Sequence, residues 1–296
     1  MKKKSYSYIF LLLPFMFIAC LILAAVITVI LQSLGYVPAL GLETLTFSYY
    51  FSALTDPGFL TSLAVSLKTA LFSSVSASAA GTLLCAAMVS RKQNKTLNNS
   101  QNAPLSIIRI PILVPHAIVA IFMINIFSQT GILARISYAL GSIDDHTEFG
   151  QILFTESYIG VILAYLWKEI PFVAYFVFAL MAGISDSLGQ AAQNLGASPL
   201  KSFFQITLPL SLPSVLNAFF IIFIFTLGGY ELPLLLGATK PKALPVETYM
   251  SFSSPDLTDR PYSMAMNGIT LLISLLFTIL YLALMKKLIR RIGGSQ

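Results

Sequence analysis

Few residues in this chain of 296 could do covalent chemistry, and those few lack the company such chemistry needs. Ser198-Pro199-Leu200-Lys201 has the Ser-x-x-Lys spacing in which a lysine activates a serine nucleophile. That chemistry also requires an oxyanion hole and Ser-Asp-Asn and Lys-Thr-Gly elements on a soluble domain. Neither tripeptide occurs. The two histidines, His116 beside Pro115 and His146 among Asp144, Asp145 and Glu148, lack the paired spacing of a zinc site. Cys20 and Cys85 both lie inside apolar runs, which fits packing residues better than a disulfide framework or a metal centre. The expectation is a protein without a catalytic site, metal, cofactor or nucleic-acid partner.

Charged residues embedded in apolar sequence are more telling, because an ionisable group is expensive away from water. Lys168 and Glu169 sit within Trp167-Lys168-Glu169-Ile170-Pro171 in the middle of a long apolar run. Neighbours in sequence diverge by about 100° on a helix, so at least one of the two needs a partner elsewhere. They read equally as a structural interhelical pair or as residues lining a path through the membrane. Pro171 removes a helix hydrogen bond and is expected to kink the run. Tyr230 and Glu231 follow Gly228-Gly229, where helical geometry should loosen at the end of another run. Glu231 would lie either at an entrance to the path or as an interfacial acid reaching for water.

These residues need membrane helices to hold them. Hydrophobic residues make up 56% of the chain and charged ones 10%, against about 25% charged in soluble domains. A helix needs about 20 mostly apolar residues to cross a bilayer. Six runs qualify, at about 8–34, 61–90, 105–130, 156–183, 207–235 and 263–288. The first is too long for the core of a signal peptide. Phe17-Ile18-Ala19-Cys20 resembles a lipoprotein cleavage site only faintly, since the apolar run continues beyond Cys20. In the second run Ser66, Ala70, Ser74, Ser78, Thr82, Ala86 and Ser90 recur every four residues and so form one ridge of small side chains. Such a ridge permits close helix packing, or a face that slides.

Lys and Arg collect at Lys2-Lys3-Lys4, at Arg91, Lys92 and Lys95, and at Lys286, Lys287, Arg290 and Arg291. With six spans all three segments fall on one side, which the positive-inside rule makes cytoplasmic, together with both termini. The sequons at Asn94-Lys95-Thr96 and Asn98-Asn99-Ser100 would then face the cytoplasm and carry no glycan.

The connection between the fourth and fifth spans, about 184–206, falls on that same side. Ser187 and Gln190 have capping-box spacing, which predicts a helix start. Gly196 fits a left-handed helix end, and Ser198-Pro199 fits a restart, with serine as N-cap and proline at the first helical position. Phe203, Phe204 and Ile206 are available to anchor the second piece. The pattern Gln190-Ala191-Ala192, Gly196, Ile206, Leu208-Pro209 resembles the EAA loop of ABC importer permeases, with Gln190 where the family has Glu. The resemblance implies an all-α, polytopic type I permease of MetI-like fold, about six spans in one transmembrane domain over 1–296. It implies that this loop docks on a separate ABC ATPase subunit, with a second permease and an extracytoplasmic solute-binding protein completing the importer in a bacterial inner membrane.

Trp167 to Pro171, then Glu231-Leu232-Pro233-Leu234-Leu235-Leu236-Gly237, and Leu257 to Pro261 with Met264-Ala265 are similar to the spermidine/putrescine-type branch. That similarity implies a small charged solute of the polyamine, phosphonate, thiamine or iron class. Lys168, Glu169, Tyr230 and Glu231 are the candidate path residues. The competing expectation, a self-sufficient secondary transporter or channel, would call for two related halves with broken helices, and no such repeat is evident.

Overall fold

The computed structural model describes residues 5–93 and 108–293. Lys2, Lys3, Lys4, Lys95, both sequons and the side chains of Ser90, Arg91, Lys92 and Arg291 lie outside the description. Among the described residues the regular structure is helical, apart from one bridge between Val37 and Leu42. The longer helices are α1 (Ser5–Ser33), α2 (Ser48–Thr55) and α3 (Pro57–Gln93). A short α4 (Ile110–Leu113) leads into α5 (His116–Phe127) and α6 (Ile132–Ala139). Then come α7 (Ile159–Ile184), α8 (Gln190–Asn194), α9 (Pro199–Ser202) and α10 (Leu208–Leu227). The last are α11 (Glu231–Leu236), α12 (Leu244–Phe252) and α13 (Arg260–Gly293).

Among the described residues six segments are long and apolar enough to cross a membrane, as expected: Leu12–Ser33, Pro57–Val89, His116–Ala139, Ile159–Asn194, Pro199–Leu227 and Leu257–Arg290. Several boundaries differ from the sequence reading, three of them for plain local reasons. The third span starts at His116, because Pro115 breaks the helix and holds Val114 extended (ψ 127°). The fifth stops at Leu227, before Gly228-Gly229. The fourth runs on to Asn194 without a break at Pro171.

The contacts divide the chain into two compact units. In the unit of 1–61 and 247–275, Ser33 bonds Tyr50 (2.8 Å) and Ser251 bonds Ser263 (2.6 Å). Asp56 caps α3 there. Its carboxylate accepts from the amides of Gly58 (3.0 Å) and Phe59 (3.2 Å) and from the Tyr262 hydroxyl (2.8 Å).

The unit of 62–246 and 276–296 has two apolar clusters strung along α7. Val161, Ala164 and Tyr165 pack with Val119 and Met123 of α5 and Leu232 and Leu236 of α11. Further along, Val173, Val177 and Met181 pack with Ala77 and Cys85 of α3 and Ala218 and Ile222 of α10. The small-residue ridge of α3 is buried from Ser66 to Thr82, while Leu71, Phe72, Val75 and Leu83 on other faces are exposed. That arrangement suits lipid, where large apolar side chains can face outward and small ones let helices approach.

Candidate functional site

Two constructions stand out, an elbow in the chain and a cavity. The elbow lies between α8 and α9. Asn194 ends α8 and Gly196 takes a left-handed φ of 93°. Its amide donates to the Gln193 carbonyl (2.9 Å) and that of Ala197 to the Ala192 carbonyl (3.0 Å), the paired bonds of a Schellman motif. Ser198 then caps α9 by accepting from the Lys201 amide (3.3 Å), with Pro199 in its first turn. The turn and restart match the sequence reading.

The capping box does not. A π-helical stretch, Ser185–Gly189, carries α7 directly into α8, so Ser187 lies inside a continuous helix and its hydroxyl donates back to the Gly183 carbonyl (2.9 Å). No helix starts there, and Gln190 has no N-cap partner to reciprocate. A second π-helical stretch, Phe203–Thr207, joins α9 to α10, which begins with Leu208 and Pro209. π-helical segments of this kind are often associated with functional sites.

The two arms are braced from within. The buried Ser202 hydroxyl donates to the Gly189 carbonyl (3.0 Å), and Ser185 and Thr207 are buried beside them. Phe203 packs on the core and Ile206 is half-buried, but Phe204 is exposed and anchors nothing inside the chain. Outward, Gln190, Ala191 and Gly196 are exposed, Ala192 is half-buried, and Leu195 and Leu200 stand 90% and 73% exposed at the tip.

The cavity, about 400 Å³, lies between the start of α5 and the break after α10. His116, Tyr165, Phe225, Tyr230 and Glu231 line it, with the backbone of Gly228-Gly229. The His116 ring lies 5.3 Å from Phe225 and 6.3 Å from Tyr165. His116 Nδ1 is 3.9 Å from Glu231 Oε2, an ion pair when the imidazole is protonated.

Of the expected path residues, Tyr230 and Glu231 meet here. Lys168 and Glu169 are both buried but do not line the cavity. Lys168 Nζ instead donates to the Val114 carbonyl (2.5 Å), which the proline break leaves without a helical partner. His116 and Tyr165 are site residues that the sequence reading missed. Histidine at a Pro-broken helix start inside an apolar run was the available signal for the first, and helical spacing from Lys168 and Glu169 for the second.

A second cavity, of about 320 Å³, is framed by Gln129, His146 and Gln151. Beside it Asp145 accepts from the Thr147 amide and hydroxyl, which holds its carboxyl below the usual range. Among the described residues no group of three or more His, Cys, Asp or Glu could hold a metal ion, and both cysteines are free.

The family described as binding-protein-dependent transport system inner membrane component matches residues 82–293. The molybdate/tungstate transport system permease protein WtpB of Pyrococcus abyssi is 29% identical over 56% of this chain and 58% of its own length. The sulfate transport system permease protein CysT of Salmonella typhimurium is 24% identical over 86% of each chain. A Mycoplasma genitalium homolog of the spermidine/putrescine permease protein PotC is 29% identical over 53% of each. Among solved structures, a chain of a bacterial ABC transporter that imports the acidic polysaccharide alginate superposes with a TM-score of 0.77 at 18% identity, covering 97% of this chain and 96% of that one. The MetNI methionine ABC transporter gives 0.52 at 17% identity, over 78% and 94%. At such identities the likeness speaks for the fold, a MetI-like helical permease.

Proposed function

Because the chain belongs to the family of binding-protein-dependent transport system inner membrane components, matched from 82 to 293, we propose that it is the membrane-spanning permease subunit of an ATP-driven ABC importer. It forms half of a translocation path and has no catalysis of its own. A second permease, either a copy or a relative, supplies the other half. Separate ATPase subunits hydrolyse ATP, and an extracytoplasmic binding protein delivers a small charged solute. Polyamine, phosphonate, thiamine and iron compounds are the classes that the sequence resemblance suggested. Among the relatives, molybdate/tungstate and sulfate transport join spermidine/putrescine transport in the names, so the branch stays open.

The observation that carries the reading is the elbow. An exposed apolar tip on a turn braced by Ser202 and Gly189 is expensive to leave in water and suits a groove on a partner. Gln190, Ala191, Ala192, Gly196, Ile206, Leu208 and Pro209 make up the coupling segment. Helical continuity from the elbow into α7 and α10 lets a push on the tip reach the residues around the cavity. In this arrangement the elbow and both termini are cytoplasmic, and Lys168, Glu169, Tyr230 and Glu231 belong to the path or its support.

Gly196→Val and Ala191→Asp test the docking role. Valine is strained at a φ of 93° by about 1–3 kcal/mol, and aspartate sets a charge against the partner's groove. Both variants should insert normally, lose capture of the ATPase subunit and lose at least tenfold in uptake. Wild-type uptake in both would remove the elbow from coupling.

A further inference from the structure

Both arms of the elbow are π-helical at the same level, and one hydrogen bond joins them there. The Gln190 amide reaches the Ser185 carbonyl and the Leu208 amide the Phe203 carbonyl, each five residues back where an α-helix uses four. If either stretch reverted to α-helical bonding, everything beyond it would turn by about 100° and shift about 1.5 Å along the axis. A change in one arm alone would therefore twist the tip against the other arm.

Gly189 closes the first stretch, and Ser202 stands immediately before the second. The buried Ser202 hydroxyl donates to the Gly189 carbonyl at 3.0 Å. Hydroxyls at the other ends converge on the same glycine. A Cβ placed there would lie 3.4 Å from Ser185 Oγ, 3.4 Å from Ser202 Oγ and 3.5 Å from Thr207 Oγ1. Such a contact is directional but small in net strength, so it suits the setting of register better than the welding of two helices. Beyond it the arms diverge in role: α7 carries Tyr165 and α10 carries Phe225, and both residues line the cavity.

We propose that Ser202 is a positioning residue for coupling, whose bond to Gly189 keeps the two π-helical stretches in one register. The elbow then turns as a single body and moves α7 and α10 in step, so both walls of the cavity respond together. Without the bond, one stretch absorbs the push before it reaches either wall. The inference rests on the permease reading above and adds the point at which its two arms are kept together.

The test uses the full chain, with Cys20 and Cys85 replaced and Phe225→Cys as reporter, reconstituted with its ATPase subunit in lipid nanodiscs. The rate at which a maleimide labels the reporter is measured with and without ATP and vanadate. ATP should change that rate at least threefold in the parent chain. Ser202→Ala and Ser202→Val should still capture the ATPase subunit but lose the change, and Ser202→Thr, which matches valine in shape and keeps the hydroxyl, should retain it. A full response in either hydroxyl-free variant would overturn the proposal, even if its melting temperature fell, because the bond would then be a brace and no more. A parent chain that captures the ATPase without responding, or failure of both hydroxyl-free variants to fold, would overturn it as well. A parent chain that captures no ATPase subunit would instead sink the permease reading itself.

Discussion

Lys168 Nζ donates to the carbonyl oxygen of Val114 at 2.5 Å, tying the interior of one spanning helix to the proline break that opens another. The bond satisfies an acceptor that the extended Val114 holds outside α5, since the Ile118 amide bonds the Pro115 carbonyl instead, and it anchors the residue two before His116, where α5 begins. It therefore positions one wall of the cavity without belonging to it.

Lys168→Met should leave that carbonyl without a donor and Glu169 without its neighbouring charge. An unsatisfied buried acceptor costs about 1–3 kcal/mol and this part-buried one should cost toward the low end, so the detergent-purified chain should melt at a lower temperature. Lys168→Arg, which keeps a donor, should recover part of the loss. A Lys168→Met variant melting with the wild type would mean that the bond contributes nothing.

Asp56 should make the other unit acid-sensitive. Its carboxyl is held below the ordinary value of 3.8, first by the Tyr262 hydroxyl and then by the Gly58 amide. A depressed folded-state pKa contributes stability that is fully present above the unfolded value and is lost as pH falls through the folded one. Stability should thus be insensitive to this group from pH 7 to 5 and fall below about pH 4, the unperturbed carboxylate range. Asp56→Ala should cost about 1 kcal/mol as a lost cap and flatten that acid limb. Melting curves across pH, wild type against variant, decide it; parallel profiles would refute the assignment.

Topology is testable with single cysteines in a background lacking Cys20 and Cys85. Ser187 and Ser253 are both exposed, so access depends on the side of the membrane and not on burial. A cysteine at Ser187 should be shielded from an impermeant thiol reagent in intact cells and one at Ser253 labelled. Asn98, outside the described residues, should behave like Ser187. Labelling at Ser187 from outside would invert the proposed orientation.

Gln190 stands exposed at the start of α8, where the family resemblance leads one to expect glutamate. If the partner ATPase has lost the matching basic group, Gln190→Glu should leave coupling unchanged or weaken it. An exposed pair is worth only about 0–1 kcal/mol, so the effect on ATPase stimulation should be small. A several-fold gain would show that the partner still offers a cation.

What the sequence determined by itself is whatever rests on neighbours in the chain. The six spans follow from unbroken apolar runs, since a backbone in lipid must satisfy its own hydrogen bonds. The turn at Gly196 and the restart at Ser198-Pro199 follow from residues whose backbone preferences act within a few positions. Even locally the reading failed at Ser187, because a π-helical stretch carries the helix through a good capping pattern, and Gly189 in that stretch is bonded by Ser202 of the other arm. Tertiary structure alone decided which charges meet. Lys168 found its acceptor 54 residues away, and Glu231 came to face His116 in a cavity that Tyr165 also lines. Such pairings depend on how α5, α7 and α10 pack, and packing in lipid is set by shape complementarity between whole helix faces, which no short stretch of sequence contains.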